Sequence, residues 1–252
     1  MAESFGTDAE RYDRARPRYP EPMVERLVAT APGTRVLDVG CGTGIAARQF
    51  QSAGCAVFGV EPDERMAQVA RDLGLEVDVA RFEDWDPAGR RFDAVVAATA
   101  WHWIDPVAGA AKAGAVLPAG GVLATFWNAF VLPAEVAEAT AAAYQRVVPD
   151  SPLDLRAMAA KGLDGYDPAL DRTAEGIAAA GGFADTERWR FGWEWTYSRE
   201  AWLDQLPTTG GMAVLSPEQV AEVLKDVGAA IDGLGGSFTM SYRTVVAVAV
   251  RA

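Results

Sequence analysis

Residues 35–44 read R-V-L-D-V-G-C-G-T-G, and this run decides the fold. Val36, Leu37 and Val39 make a short apolar strand, and three glycines at alternate positions follow it: Gly40, Gly42 and Gly44. Residues 45–53 carry a helical pattern that Gly54 is placed to end. A strand, a glycine turn and a helix in this order form a crevice where backbone approaches a ligand closely. A dinucleotide fingerprint, G-x-G-x-x-G, would need glycine at position 45, which is Ile45. Asp38 is a second departure, because a carboxylate at the strand end gains nothing from a pyrophosphate. It does gain from a ligand that carries an ammonium group and a sulfonium. S-adenosyl-L-methionine carries both, and it is the cofactor this run predicts.

Outward from this run the chain alternates strand and helix. Residues 56–60 form a second apolar strand ending at Glu61, and Asp63 caps the next helix. The apolar face of that helix is expected at Met66, Val69, Ala70 and Leu73, with Gly74 as its stop. Further strands are expected at 75–80, 92–98 and 122–127, the last introduced by Pro118, Ala119, Gly120 and Gly121. A helix at 134–148 follows, then an excursion over 149–171 and a helix at 173–180. A tryptophan-rich strand covers 187–197, and a valine-rich strand closes the chain at 238–251. Between them Ser216, Pro217 and Gln219 open a helix with a capping box. The pattern predicts an α/β fold: a doubly wound, mostly parallel, seven-stranded Rossmann-like sheet with helical cover segments. Ligands of such sheets bind outside the carboxyl ends of the strands, where the strand order reverses. One domain is expected over 1–252, with an N-terminal lid segment at 1–32, a cofactor-binding core at 33–128, a cover insertion at 129–172 and the rest of the sheet at 173–252.

Composition narrows the function. Half of the 252 residues are hydrophobic, enough for a substantial core. No apolar run reaches the roughly 18 residues of a membrane span. Residues 1–18 are charged, with no apolar segment of a secretory signal. Cys41 and Cys55, the only cysteines, have neither a disulfide framework's nor a metal site's spacing, which points to a reducing, cytoplasmic setting. A net charge of -12 disfavours nucleic acid, whose binding needs clustered Lys and Arg. The expected partner is a small-molecule acceptor, with neither nucleic acid nor membrane; monomer and homodimer both stay open.

The run V-L-D-V-G-C-G-T-G resembles the first motif of class I S-adenosylmethionine-dependent methyltransferases, in their small-molecule branch of ubiquinone-biosynthesis and trans-aconitate type. The resemblance extends over most of the chain. It implies that Asp38, Gly40, Cys41, Gly42 and Gly44 surround the methionine part of the cofactor. It places Glu61 on the ribose, where one carboxylate accepts two hydroxyl hydrogen bonds. Met66 takes the place of an apolar side chain on adenine. The family often has an acidic residue and then a small one after the third strand; here the pair is Arg81-Phe82. Arginine cannot accept from the adenine amino group. Glu83 or Asp84 is expected to take that part, with the Phe82 backbone amide on the ring, and Ala98 closes the set at the end of the fourth strand. Similar W-H-W-x-D runs, here Trp101 to Asp105, follow the fourth strand of relatives. The motif Tyr12-x-x-x-Arg16-Pro17-x-Tyr19-Pro20 resembles an entry segment that closes over the cofactor.

Acceptor chemistry is expected around that crevice. His102, the only histidine, is a candidate base or orienter, or else a brace for its loop. Of the eight tryptophans most belong to the core, while Trp103 and Trp127 lie at strand ends beside Asn128. Together with Tyr12, Arg16 and Tyr19 these three form the expected acceptor site. Trp103 and Trp127 suit an apolar acceptor; Arg16 suits an acidic one, and with it methylation of a carboxyl group. Asn/Asp-Pro-Pro-Tyr, a Pro-Cys dipeptide and a catechol-type Asp-Asp-Asn cluster find no match, so no metal is expected. A nicotinamide oxidoreductase is disfavoured by Ile45 and Asp38. A non-catalytic S-adenosylmethionine-binding regulator remains the alternative of another class.

Overall fold

The computed structural model describes residues 6–252. Its strands are β1 (Arg35–Val39), β2 (Ala56–Glu61), β3 (Glu76–Val79), β4 (Ala94–Ala98), β5 (Val122–Val131), β6 (Glu187–Ser198) and β7 (Ser237–Val250). They form one seven-stranded sheet in the order β3-β2-β1-β4-β5-β7-β6. The β1–β2, β1–β4, β2–β3 and β4–β5 pairs are parallel. β7 runs antiparallel to both neighbours. The expected Rossmann-like sheet is therefore present, and its strand order reverses between β1 and β4.

The central strands are buried on both faces, which is why they read as continuous apolar runs. Leu37, Val39, Val95 and Leu123 pack into the core on one side of the sheet. Val36, Val96, Val122 and Ala124 pack into the core on the other. Asp38 alone interrupts this run on β1.

Helices fill both faces: α1 (Ala9–Ala15), α2 (Glu21–Thr30), α3 (Ile45–Ser52), α4 (Glu64–Asp72), α5 (Pro106–Val116), α6 (Ala134–Val147), α7 (Leu155–Ala160), α8 (Asp167–Ala180), α9 (Arg199–Gln205) and α10 (Pro217–Gly233). Asp63 caps α4 as expected, accepting from the Arg65 amide. Ser216 and Gln219 form both halves of the capping box on α10. The inner face of α4 differs from the expected one. Met66, Ala67 and Ala70 are buried, while Leu73 is 45% exposed. The chain turns at Gly74, and Leu75 fills the space beside Ala67 and Ala70 instead.

Other boundaries shift for identifiable reasons. β4 starts at Ala94, because Asp93 is engaged sideways: its carboxylate accepts from the Arg35 backbone and guanidinium at 3.0–3.2 Å. β5 continues to Val131 because β7 pairs with it as far as Ser241. α8 starts at Asp167, six residues before the expected start at 173, with Pro168 in its first turn. α5 has no strong apolar period, and small residues seat it. A Cβ on Gly109 would stand 2.6 Å from the Ile104 side chain, and one on Gly176 of α8 would stand 2.5 Å from Pro106.

α6, α9, α10 and the distal parts of β6 and β7 share a further core of Tyr144, Tyr197, Trp202, Val223, Phe238 and Tyr242. α1 bridges this region to the nucleotide-fold half. Arg11 and Arg14 both pair with Asp204 at 3.0 Å, and Asp13 pairs with Arg48 of α3 at 2.6 Å.

Candidate active site

The turn after β1 is shaped by its neighbours. Gly40, Gly42 and Gly44 have φ of +64°, +56° and +84°, a region that favours glycine. A Cβ on Gly40 would also lie 2.5 Å from the Ala100 Cβ. The Gly40 and Cys41 amides donate to the Val60 carbonyl at 2.8 and 3.2 Å, drawing the turn over the end of β2. Glu61 then ties the turn to α4. Its Oε2 accepts from the Gly42 amide at 2.8 Å and its Oε1 from the Asp63 amide at 3.0 Å. Burial raises the Glu61 carboxyl above its ordinary range, and those two amides oppose the shift. Each oxygen keeps acceptor capacity for a further donor such as a ribose hydroxyl. Met66 is 5% exposed, and its Cε lies 3.4 Å from where a Gly42 Cβ would stand. Cys41 comes to the site by its backbone alone. Its thiol points beneath the turn, beside Gly59, and packs with Ala47, Ala67 and Leu75.

Asp38 is the exceptional group. It is fully buried, and no side chain donates to either carboxylate oxygen. Burial, and then the charge of Glu61, push its pKa up to about 8; the backbone of Ala47 offsets this in part. A buried carboxylate without a partner is costly, so its persistence calls for a partner of opposite charge. An ammonium group meets that need, and the glycine turn beside it leaves room for backbone-level approach. The residues present thus fit S-adenosyl-L-methionine.

The residues expected near adenine lie in the turn after β3. The Phe82 ring is in the core, 6.3 Å from Trp85 and 6.4 Å from Trp101. Glu83 Oε1 faces Arg81 at 3.8 Å and the Asp105 amide at 3.4 Å. Ala98 pairs in register with Phe126 at the end of β4.

Past β4 the chain takes a strained step, since Thr99 has φ +55°. Its hydroxyl shares a 2.9 Å hydrogen bond with the Tyr19 phenol. Tyr19 also sets its ring edge-on to Phe126 at 4.7 Å, and its backbone exchanges hydrogen bonds with the Gln49 amide. The N-terminal motif is thus bound down over β4 and β5. Asn128 helps: Nδ2 donates to the Arg18 carbonyl at 3.3 Å, and Oδ1 accepts from Thr244 at 2.6 Å.

His102 lies in a short turn, residues 101–103. Its Nδ1 accepts from Trp127 Nε1 at 3.2 Å, and Trp127 is fully buried and stacks on Tyr166 at 6.0 Å. Desolvation, then the charge of Arg172, lower the His102 pKa. A neutral imidazole that accepts at Nδ1 carries its proton on Nε2. In this geometry His102 presents a donor. Trp103 is 43% exposed, with its ring 4.7 Å from that of His102.

The structure brings Asp38, Glu61, Met66 and the glycine turn together, sets Tyr19 against Thr99 at the end of β4, and joins His102 to Trp127, which is a core residue of β5. Sequence reasoning missed Arg48. Its Nη1 donates to the Thr43 carbonyl at 2.7 Å while its Nη2 holds Asp13, joining the turn to α1. It missed Gln205, Thr208 and Tyr166 too, which lie on elements with no local motif. Among the described residues no three His, Cys, Asp or Glu are placed to hold a metal ion. No described helix is long and apolar enough to cross a membrane.

Comparison with known proteins agrees with the fold and the turn. Residues 12–232 match the model of a methyltransferase domain family. The chain belongs to this family, whose methyl donor is S-adenosyl-L-methionine. Among individual relatives it is similar to an uncharacterized methyltransferase of Mycobacterium tuberculosis, 37% identical over 131 residues, which cover 51% of this chain and 53% of the relative. It is also similar to a ubiquinone biosynthesis O-methyltransferase of a Bradyrhizobium species, 30% identical over 112 residues, covering 40% and 44%. The chain thus spans about half the length of the curated relatives it matches. A solved structure from Anaeromyxobacter dehalogenans, provisionally assigned as a type II methyltransferase, superposes with a TM-score of 0.66 over 94% of this chain and 97% of its own, at 23% identity. A phosphoethanolamine N-methyltransferase from Haemonchus contortus shares the fold at a TM-score of 0.54 and 17% identity, over all of this chain and 60% of its own.

Proposed function

We propose that this chain transfers a methyl group from S-adenosyl-L-methionine to oxygen or carbon of a small-molecule acceptor, without a metal, in secondary metabolism and in the cytoplasm. The observation that carries the reading is the buried, unpartnered Asp38 carboxylate beside the glycine turn. The sulfonium supplies a methyl carbon already activated toward displacement. The chain's own work is to bind, orient and exclude water. Asp38 holds the ammonium group, and the backbone of residues 40–44 lies along the methionine part. Glu61 accepts from the ribose hydroxyls while bracing the turn. Met66 covers one face of the base. α1 and the Tyr19 segment close the crevice, and Arg48 couples that closure to the turn through Asp13 and Thr43. His102 orients the acceptor by donating from Nε2. It is no base in this state, because Trp127 occupies the nitrogen that would take the proton.

The test uses methyl-deuterated S-adenosylmethionine with the purified protein and a metabolite extract of its source, read by mass spectrometry. An enzyme-dependent labelled product supports methyl transfer, and its fragmentation locates the methyl group. Binding without any labelled product favours the non-catalytic reading. Absence of binding by calorimetry refutes the cofactor assignment.

A further inference from the structure

The sheet ends on one side in a long, open strand. β3, at the other end, has four residues, whereas β6 has twelve. A short edge offers little to another chain, and a long one is a ready template for pairing. Among the described residues no strand pairs with the outer side of β6. The direction of its backbone groups follows from one bond. The Arg199 amide donates to the Gly236 carbonyl at 2.9 Å, in step with the unbroken register that sets Ser198 opposite Ser237. Hydrogen-bonded and non-hydrogen-bonded pairs alternate along an antiparallel ladder. The odd-numbered residues of β6 therefore bond to β7, and Arg188, Arg190, Gly192, Glu194 and Thr196 turn their N–H and C=O groups outward. Side chains come closest in non-hydrogen-bonded pairs, and the Thr196 and Thr239 hydroxyls do meet, 2.9 Å apart.

These outward residues are complementary to themselves. A two-fold axis at Gly192 sets Arg190 opposite Glu194 of a second copy, and Glu194 opposite its Arg190. Arg188 then faces Thr196, and no like charges stand opposite each other. An axis at Arg190 or at Glu194 would oppose like charges, and one at Phe191 would overlap fewer residues of β6. Nothing lies within 4 Å of where a Gly192 Cβ would stand, so no part of the chain overhangs the axis on that face. On the other face Trp195 is 56% exposed, and the pairing sets it opposite Trp189 of the second copy. Charges on an edge usually deter pairing, but here their order favours an antiparallel match of β6 with itself. Arg190 keeps its ion pair with Asp167 of α8, and Glu194 of the second copy extends it. We propose that β6 docks on β6 of a second copy of this chain, antiparallel about Gly192, joining two seven-stranded sheets into one. The contact supplies about ten main-chain hydrogen bonds. About 11 residues from each copy take part, against the roughly 20–30 of a standard interface, so the dimer should dissociate at micromolar concentrations. The pairing is independent of what the crevice catalyses.

Sedimentation equilibrium of the full chain, from about 1 to about 300 µM, tests this. A monomer–dimer equilibrium within that range is expected. Gly192→Pro removes an outward N–H from each copy at the axis and leaves the β7 ladder intact, since an edge strand tolerates proline on its open side. It should weaken the dimer at least about 10-fold. Arg190→Glu puts two like-charged pairs across the contact and should weaken it about 10-fold. Adding Glu194→Arg to Arg190→Glu restores opposite charges and should recover wild-type association. Arg188→Glu, which faces Thr196, should weaken it less than Arg190→Glu does. S-adenosylhomocysteine affinity, unchanged within about twofold, shows that the variants remain folded. A monomer at every concentration, or a dimer unmoved by both Gly192→Pro and Arg190→Glu, overturns the contact. Failure of the double variant to recover association, or a larger loss in Arg188→Glu than in Arg190→Glu, overturns the pairing about Gly192.

Discussion

Cofactor binding should expel a proton, and the number follows from Asp38. With no partner and full burial, its carboxyl is pushed up to about 8. At pH 7 the ligand-free protein therefore holds about 0.9 proton there, and at pH 9 about 0.1. An ammonium group against the carboxylate favours the ionised form and lowers that pKa. Binding at pH 7 should then release close to 0.9 proton, falling towards 0.1 at pH 9. Calorimetric titration of S-adenosylhomocysteine in phosphate and in Tris reads this number from the difference in apparent enthalpy. Asp38→Asn should remove the release and weaken binding about 10- to 100-fold, as expected for losing one charge-assisted hydrogen bond. The same group sets a sign for stability. Its folded pKa lies above the unfolded one, so the native state binds the extra proton between the ordinary carboxylate range and about 8. Stability of the ligand-free wild type should fall with rising pH across that window, by about 1.4 kcal/mol per unit relative to Asp38→Asn. Identical apparent enthalpies in the two buffers at pH 7 would refute the reasoning, since they would mean that Asp38 is already ionised or never meets the ammonium group.

Three further outcomes can be checked directly. Gly40→Ala adds a Cβ 2.5 Å from Ala100 at φ +64°, so left-handed strain and overpacking together should cost about 2–5 kcal/mol; urea unfolding and cofactor affinity should both register it. With only one histidine in the chain, proton NMR can follow His102 without assignment: its pKa should lie below the ordinary value, and Trp127→Phe should raise it, because the lost N–H stabilises the neutral ring. Arg48→Met removes the bond to Asp13 and the one to Thr43, so amide exchange should quicken in α1 and in the glycine turn together, and unchanged protection in either would sink the coupling.

The parts of this fold that could be read from sequence are those with a local cause. The strand, glycine turn and helix at 35–53, the Asp63 cap and the Ser216 capping box each announce themselves within a few residues. Positions settled by tertiary contact could not be read that way. α5 is a helix although two of its eleven residues are glycine, because Gly109 lets it close on Ile104 and Trp101, while Gly176 lets α8 approach it at Pro106. Leu73 looked like core by helical spacing, but the Gly74 turn gives its place to Leu75. In the site, Asp38 and Glu61 could be named from their positions relative to the turn. Arg48 and Thr208 could not, since each works through a partner that is distant in sequence: Asp13 lies 35 residues from Arg48, and Arg16 lies 192 from Thr208.

The uncompensated groups make one pattern. Asp38 lacks a cation and Arg16 lacks an anion, each with a buried, unpartnered atom. Both act on the Tyr19 phenol, Asp38 raising and Arg16 lowering its pKa. A chain stabilised for its own sake would have paired two such charges or replaced them with apolar groups. Left open, they cost stability in the empty protein, and the amino-acid end of S-adenosyl-L-methionine carries both the ammonium group and the carboxylate that would meet them. The hydrogen bond shared by Tyr19 and Thr99 holds that phenol in place, on a residue kept at φ +55° directly after β4. It follows that S-adenosylhomocysteine should raise the thermal midpoint, and that Asp38→Asn and Arg16→Gln should each diminish that shift.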